Sequence, residues 1–570
     1  MHNRHYVSSR RSGEDDKTET LIHSGENGNI GSINEYVPPD TVSIIETHIS
    51  RVFLTSKFAY KQKKPVDYGF VDYTSLKKRI FYARKELSLN RRACSGVYLD
   101  LQELRQKKGK FFIGFKGGVL KDVFVRMNLV NSKNFLSNIV KNEGLTADKI
   151  DGILKKVARR IYLFHKSAVT SKRISGFGSI EVYKENWDDN FRALEGLVKA
   201  GVFIRKLDGI KSICNGFLQS KMFGEFIKSR IENGFIRDVH GDLRMEHVAV
   251  IDAGRVNGIC LMDCVEFDER YRNQDLYLDI AFLLMDFENN GFFYESSVFL
   301  NHYKKCFNYN RLIAGYEVYE PTVIPFFKAY RAIVRTKTAL LSDKSSDALK
   351  HFDLAGFYCE LLKKPTVILN CGLSGSGKSS LSSLLSRYFY AQVLSSDEMR
   401  CNIYGFTDNI FKYGRHASEH VYRSMIEEGL RRFESGKSII FDATFLKRVH
   451  REKIIKSFEK KDCIFIFVYS KIYNDKEKII LNRLVSRFKP DNTTTKKDYS
   501  EADVRIYLNQ KRILEEPLNS ECEIYRAKSE AAESISETIG RSLLITVDAS
   551  LELRERFNAV MKGIIEAYNK

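Results

Sequence analysis

Apolar positions recur along this chain in two rhythms, and the changes of rhythm mark its elements. From Ile44 the pattern is strand-like. Over Ser75 to Arg92, Leu76, Ile80, Ala83 and Leu87 fall at i, i+4, i+7 and i+11, the spacing of one helix face. Strands and then a helix therefore open the folded part. A second helical stripe runs through Ile150, Ile153, Val157, Ile161 and Phe164, and another helix is expected over the apolar-rich stretch from Leu276 to Phe287. Residues 1–40 are rich in Ser, Gly, Asn, Asp and Arg, have no apolar period and end at Pro38-Pro39; they read as a flexible tail. No repeat on the solenoid scale of about 20 to 50 residues is visible. The pattern that starts near His351 ends at Lys363-Lys364-Pro365, directly before the apolar strand Val367-Ile368-Leu369. A boundary is expected there, giving domains over 41–355 and 365–570.

Composition supports two folded domains, because 570 residues exceed what one core organises and 43% hydrophobic residues suffice to pack more than one. Lys and Arg (92) outnumber Asp and Glu (72), for a formal charge of +20. That excess suits phosphate groups, nucleic acid or acidic membrane surfaces without choosing among them. The ten cysteines show no paired spacing, and Cys260, Cys371 and Cys463 sit in apolar runs, so reduced core residues and a cytoplasmic location are expected. Cys260 and Cys264 lack the second Cys or His pair of a zinc site. No apolar stretch approaches the roughly 18 residues of a membrane span, and the start, MHNRHYVSSRRSGEDDK, lacks the apolar core of a signal peptide. No membrane association is expected.

Gly372-Leu373-Ser374-Gly375-Ser376-Gly377-Lys378-Ser379 fits the P-loop pattern GxxxxGK followed by Ser or Thr. The glycines let backbone N–H groups, with those of Ser374, Ser376 and Ser380, wrap phosphates. Lys378 reaches the β and γ oxygens, Ser379 can hold Mg²⁺, and the following helix presents its positive end. A strand precedes the loop, and Leu381, Leu384 and Leu385 share a helix face after it. Downstream, Ile439-Ile440-Phe441 ends in Asp442, where a carboxylate can address Mg²⁺. In Ser395-Ser396-Asp397-Glu398-Met399-Arg400, Asp397 can take a proton from a substrate hydroxyl and Arg400 can hold an anionic group; helix capping by Ser396 or Asp397 explains the same string. Arg483 and Arg487, four apart, can close over phosphates as a lid or form a solvated basic face.

These strings, GLSGSGKSS, SSDEMR, IIFDATF and the two spaced arginines, resemble the small P-loop kinases related to gluconate kinase, zeta toxins and polynucleotide 5′-kinases, over about residues 365–540. The resemblance implies ATP-dependent phosphoryl transfer with Asp397 facing the acceptor hydroxyl.

In the other half, His240-Gly241-Asp242-Leu243-Arg244-Met245-Glu246-His247 precedes an apolar strand, a turn from Gly254 to Gly258, a second apolar strand and Met262-Asp263. A kinase centre needs this order: one Asp on a loop to orient the acceptor, and a second, a hairpin later, for Mg²⁺. Lys61 at the end of an early strand and Glu86 on the next helix are the pair expected to hold ATP phosphates. The sequence here resembles the aminoglycoside phosphotransferase and choline kinase-like family. FLTSKFAYKQKKPVDYGFVDY, KELSLNRR, HGDLR, DCVEFDERYR and LDIAFLLMDFE look like bacterial proteins that fuse such a domain to a C-terminal P-loop kinase of the AAA type. That resemblance implies Asp242 as catalytic Asp, Asp263 as metal ligand, Lys61 as phosphate ligand with Glu86 its partner, and Lys63 as the alternative. His247 stands where the kinase pattern has Asn, and no Gly-rich loop precedes Lys61.

The expected architecture is an α+β protein-kinase-like domain followed by an α/β P-loop domain with a parallel sheet. The expected activity is ATP/Mg²⁺-dependent phosphorylation of a small-molecule hydroxyl. The alternatives are a polynucleotide 5′-hydroxyl kinase, for which nucleic acid would be the partner, a kinase of a nucleotide sugar, and an ATP-binding regulatory protein whose N-terminal half is a pseudokinase.

Overall fold

The computed structural model describes residues 18–21, 36–69, 71–197, 201–308, 320–405, 414–487, 504–521 and 543–569. The chain divides into two compact units, each gathered from separate stretches. The first comprises Met1–Gly144, Arg159–Phe177 and Gly234–Asp279; the second comprises Leu145–Ala158, Gly178–Asn233 and Ile280–Lys570.

The first unit is built on an antiparallel sheet of β1 (Thr18–Leu21), β2 (Thr41–Glu46), β3 (Ser50–Thr55), β4 (Phe58–Lys63), β5 (Tyr98–Lys107), β6 (Lys110–Ile113) and β7 (Val119–Asn128), in the spatial order β1-β2-β3-β4-β7-β5-β6. The tail expected over residues 1–40 therefore contributes a strand, because the open edge of β2 pairs through backbone groups and needs no apolar run in its partner. Residues 1–17 and 22–35 lie outside the described residues. Alternation along β7 gives the sheet two packed faces, with Val123, Val125 and Met127 in one core cluster and Phe124 in another.

The expected helix follows β4 as Leu76–Cys94, started by Ser75, whose Oγ accepts from the Lys78 N–H at 3.2 Å. Ala83 is buried as the apolar stripe requires, but so are Arg79, Glu86 and Asn90 on the same face. Two short antiparallel ribbons complete the unit: β8 (Ile236–Asp238) with β11 (Asn273–Asp275), and β9 (Val248–Val250) with β10 (Ile259–Leu261). The segment 240–247 bridges the two ribbons, and Asp263 stands two residues beyond the end of β10.

The second unit contains a five-stranded sheet, wholly parallel, of β12 (Thr366–Gly372), β13 (Gln392–Ser395), β14 (Ile439–Asp442), β15 (Ile464–Lys471) and β16 (Leu543–Asp548), ordered β13-β14-β12-β15-β16. Every residue of β12 is buried, as a central parallel strand requires. The order reverses on either side of β12, so a crevice opens at its carboxyl end. The helices of this unit include Ile180–Leu197, Glu320–Leu341 and Ser345–Lys363. Their link to the P-loop region is concrete. Buried Glu288 accepts from Lys328 at 2.9 Å, from Tyr358 at 2.6 Å and from Tyr388, on the helix after the P-loop, at 2.8 Å. Among the described residues no helix is long and apolar enough to cross a membrane.

Candidate functional site

The P-loop occupies the carboxyl end of β12, and the helix Lys378–Phe389 starts at its lysine. Its shape depends on glycine. Gly377 has φ +75°, and a Cβ there would lie 2.5 Å from the Arg556 guanidinium; at Gly372 a Cβ would lie 2.7 Å from the Ser470 carbonyl. Lys378 is buried and donates to the Leu373 carbonyl of its own loop at 2.8 Å. The Ser374 N–H donates to Gln510 at 2.9 Å, and the Ser376 carbonyl accepts from Arg556 Nη1 at 2.7 Å. Arg556 comes from the helix Leu553–Asn569 and is 4% exposed. No motif pointed to it, since 180 residues separate donor and acceptor.

Asp442 ends β14 and pairs in register with Asn370 of β12, which brings its carboxylate to the P-loop side of the sheet. It is 4% exposed, and its Oδ1 has no hydrogen-bond partner. Burial pushes its pKa up, Lys378 and Ser379 oppose the rise, and Asp397 adds to it. An orphaned, buried carboxylate oxygen beside Lys378 and Ser379 fits a hard divalent cation, so the residues present suit Mg²⁺. Asp397 lies in the first turn of the helix Ser396–Tyr404; its N-cap is Ser395, which accepts from the Glu398 N–H, rather than Ser396 or Asp397. Arg400 on the same helix is buried. Arg483 donates to the carbonyls of Ala549 (2.6 Å) and Ser550 (3.1 Å) in the segment after β16, an engagement other than a lid. The side chain of Arg487 lies outside the described residues.

The second cluster, in the first unit, is an ion network. Lys61 and Lys63 alternate on β4 and so share a face, and both reach Glu86. Lys61 Nζ is 2.9 Å from Oε1 and Lys63 Nζ 2.8 Å from Oε2. Lys61 also binds Asp263, and Lys63 binds Glu266. Tyr73 donates to Glu266 at 2.6 Å, and its ring lies under Lys63. Asp263 adopts φ +62°, held by its N–H donating to Tyr98 Oη at 3.1 Å. Burial opposes ionisation of Asp263, but Lys61 and the His247 ring hold its pKa well below the ordinary carboxylate range.

Asp242 sits between two side chains of its own loop. Arg244 donates to both carboxylate oxygens, at 3.0 and 3.2 Å, and His247 Nδ1 lies 2.7 Å from the Asp242 carbonyl. The loop is braced from below by Asp279. This fully buried carboxylate accepts from the N–H groups of His240 (3.3 Å) and Gly241 (2.8 Å) and pairs with His165 at 2.9 Å. Sequence reasoning named Lys61, Lys63, Glu86, Asp242 and Asp263, which the structure brings into this neighbourhood. It gave no role to Glu266, Tyr73, Tyr98 or Asp279, although Asp279 lies in the quoted LDIAFLLMDFE segment and Glu266 in DCVEFDERYR. A strong acid inside an apolar run was the available signal.

Residues 367–517 match the AAA domain family. Two uncharacterized proteins, from Mycobacterium tuberculosis (strain ATCC 25618 / H37Rv) and Mycobacterium bovis (strain ATCC BAA-935 / AF2122/97), are each 28% identical over 429 residues, covering 71% of this chain and 78% of theirs. Similar solved structures include a gluconokinase from Sinorhizobium meliloti 1021, at 16% identity over 36% of this chain and 94% of that one, with a TM-score of 0.22. An ethanolamine kinase from Plasmodium vivax is 11% identical over 60% of this chain and 82% of that one, with a TM-score of 0.32. Residues 367–517, with the P-loop at their start, thus match an AAA domain, and a unit built on a seven-stranded antiparallel sheet precedes them in the chain.

Proposed function

We propose that the protein is an ATP/Mg²⁺-dependent phosphotransferase acting on a hydroxyl of a small molecule. In this reading, 365–570 is the P-loop kinase domain, the surer ATP site, and 41–355 the kinase-like domain. The observation that carries it is the buried, unpartnered Oδ1 of Asp442 facing the side of the sheet where the P-loop presents Lys378 and Ser379. Ser379 and Asp442 would hold Mg²⁺, which supplies charge neutralisation to the phosphates. Loop N–H groups from Gly372 to Ser380 bind and orient the phosphate chain, and Lys378 leaves the Leu373 carbonyl to meet it. The acceptor oxygen attacks the γ-phosphorus, the bond to the β-bridging oxygen breaks, and Asp397 takes the hydroxyl proton.

A second reading has a specific observation in its favour. Lys61 is already bound to Asp263, and Asp242 to Arg244, so the first unit supports nucleotide binding or regulation as well as transfer. The test is phosphorylation from γ-labelled ATP of a metabolite library and of 5′-hydroxyl oligonucleotides, by wild type, Lys378→Ala and Asp242→Ala. Product formed by wild type and Asp242→Ala but not by Lys378→Ala supports the reading. Product that survives Lys378→Ala rejects it, and labelling of oligonucleotides alone replaces the small molecule with nucleic acid.

A further inference from the structure

Within the second unit, a cavity of about 150 Å³ lies among the helices Leu276–Asn289, Phe293–Asn308, Glu320–Leu341 and Ser345–Lys363 and the far end of the helix that follows the P-loop. Leu284, Leu300, Ile324 and Leu361 make part of its lining apolar. The charged part is unbalanced, with Lys304, Lys328 and Arg387 against one carboxylate, Glu288. That carboxylate is fully engaged. It accepts from Ser296, Lys328, Tyr358 and Tyr388 at 2.6–2.9 Å, which fills the roughly four acceptor positions it has. Burial still holds the Lys328 pKa below its ordinary value, with Glu288 opposing, so the pair offsets the cost of burying that cation only in part. A cleft lined by more cations than anions favours an anionic occupant.

Water can solvate the cations, but it finds no partners along the apolar part of such a lining. The volume is below the roughly 300 Å³ where pockets for drug-sized ligands begin, and it equals that of a cavity, about 150 Å³, that takes up benzene. We propose that this cavity binds a small organic anion with an apolar body about the size of a benzene ring, of which benzoate is the probe. The body packs against Leu284, Leu300, Ile324 and Leu361, and Lys304 and Arg387 answer the charge. Tyr388 lines the cavity, whereas Lys378 starts the same helix ten residues away, about 15 Å along the axis. An occupant here is out of reach of a phosphoryl group on the P-loop, so it is a ligand other than the phosphoryl acceptor.

The experiment is photolabelling of the full-length protein with 4-azidobenzoate, located by peptide mass spectrometry, with benzoate, benzyl alcohol or inorganic phosphate as protecting agents. Saturable labelling is expected on peptides that carry residues 296–304, 324–328 or 387–390. Half-protection should need about tenfold more benzyl alcohol, which has the body without the charge, or phosphate, which has the charge without the body, than benzoate. Arg387 is exposed, so Arg387→Glu keeps the fold and should raise the benzoate needed about fivefold. The wild-type arm locates the site without any substitution. Labelling that does not saturate, or that falls on other peptides, overturns the proposal. So does protection by benzyl alcohol or phosphate within twofold of benzoate, or an Arg387→Glu protein that needs no more benzoate than wild type.

Discussion

Replacing Arg556 by Met removes the guanidinium that grips the P-loop from outside its phosphate side. Arg556 Nη1 donates to the Ser376 carbonyl at 2.7 Å. In a trans peptide the carbonyl and the next N–H point in opposite directions, so holding the Ser376 carbonyl toward Arg556 aims the Gly377 N–H the other way, into the loop. Burial, reinforced by Arg483, lowers the guanidinium pKa to about 10, which leaves it charged at neutral pH. A hydrogen bond from a charged donor contributes about 1.5–3 kcal/mol. If that energy sets the peptide's orientation, its loss weakens ATP binding about 10- to 150-fold. Stability should move little in comparison, because Arg556 Nε is buried without a partner and Met relieves that desolvation. The assay is calorimetric titration of ATP, counting the binding that Lys378→Ala abolishes, beside urea denaturation without nucleotide. ATP affinity within twofold of wild type would refute the peptide-orientation argument. So would an affinity loss accompanied by an equal loss of stability.

Arg451 and Glu521 form a two-pronged pair, both bonds 2.8 Å, with neither side chain exposed. Glu521→Gln leaves a buried cation uncompensated and should cost about 3–5 kcal/mol in guanidinium denaturation, whereas Arg451→Met/Glu521→Leu should cost clearly less; equal losses would show that packing dominates. His240 is neutral by construction, since Nε2 faces the Met262 carbonyl at 2.8 Å and Nδ1 accepts from the Asp242 N–H at 3.3 Å. Burial takes its pKa from 6.5 to about 4 against the pull of Asp279. The unfolded chain therefore binds the proton more readily. The contribution of the neutral ring is complete above pH 6.5 and is lost as pH falls to about 4, a gap worth about 3 kcal/mol. Urea midpoints between pH 7 and 4 should fall more steeply for wild type than for His240→Asn, and parallel slopes would remove His240 from the account.

The sites divide into what fixed spacing reveals and what only folding assembles. The P-loop, Asp442 after its strand, and the His240 to Asp263 order were legible because one local element must carry them at a set separation. Arg556, Glu266 and Asp279 were not, because each acts from a different element and its role exists only once the backbone has returned. The helix Leu76–Cys94 shows the same limit on one face. Its apolar stripe marks the helix, while on the same face buried Glu86 joins the ion network, Arg79 pairs with Asp122 and Asn90 bonds to backbone groups, and hydrophobic periodicity is blind to polar residues that are buried with partners. The tail strand β1 was missed for the converse reason: its pairing is through the backbone.

The two lysines on which each site turns differ in what a nucleotide must displace. Lys378 donates to a neutral carbonyl, a bond that phosphate oxygens outcompete because they bring charge. Lys61 lies against two carboxylates, the buried Glu86 and the partly exposed Asp263, and losing the buried partner without replacement is expensive. Free nucleotide would bring more negative charge to a loop already carrying Asp242, Asp263 and Glu86. Asp263 would hold a dication that arrives with nucleotide, which would free Lys61 for phosphate while Glu86 keeps its hold on both lysines. On the proposed reading, the site in the first unit would stay latched by its own ion pair until a metal–nucleotide complex offered that exchange.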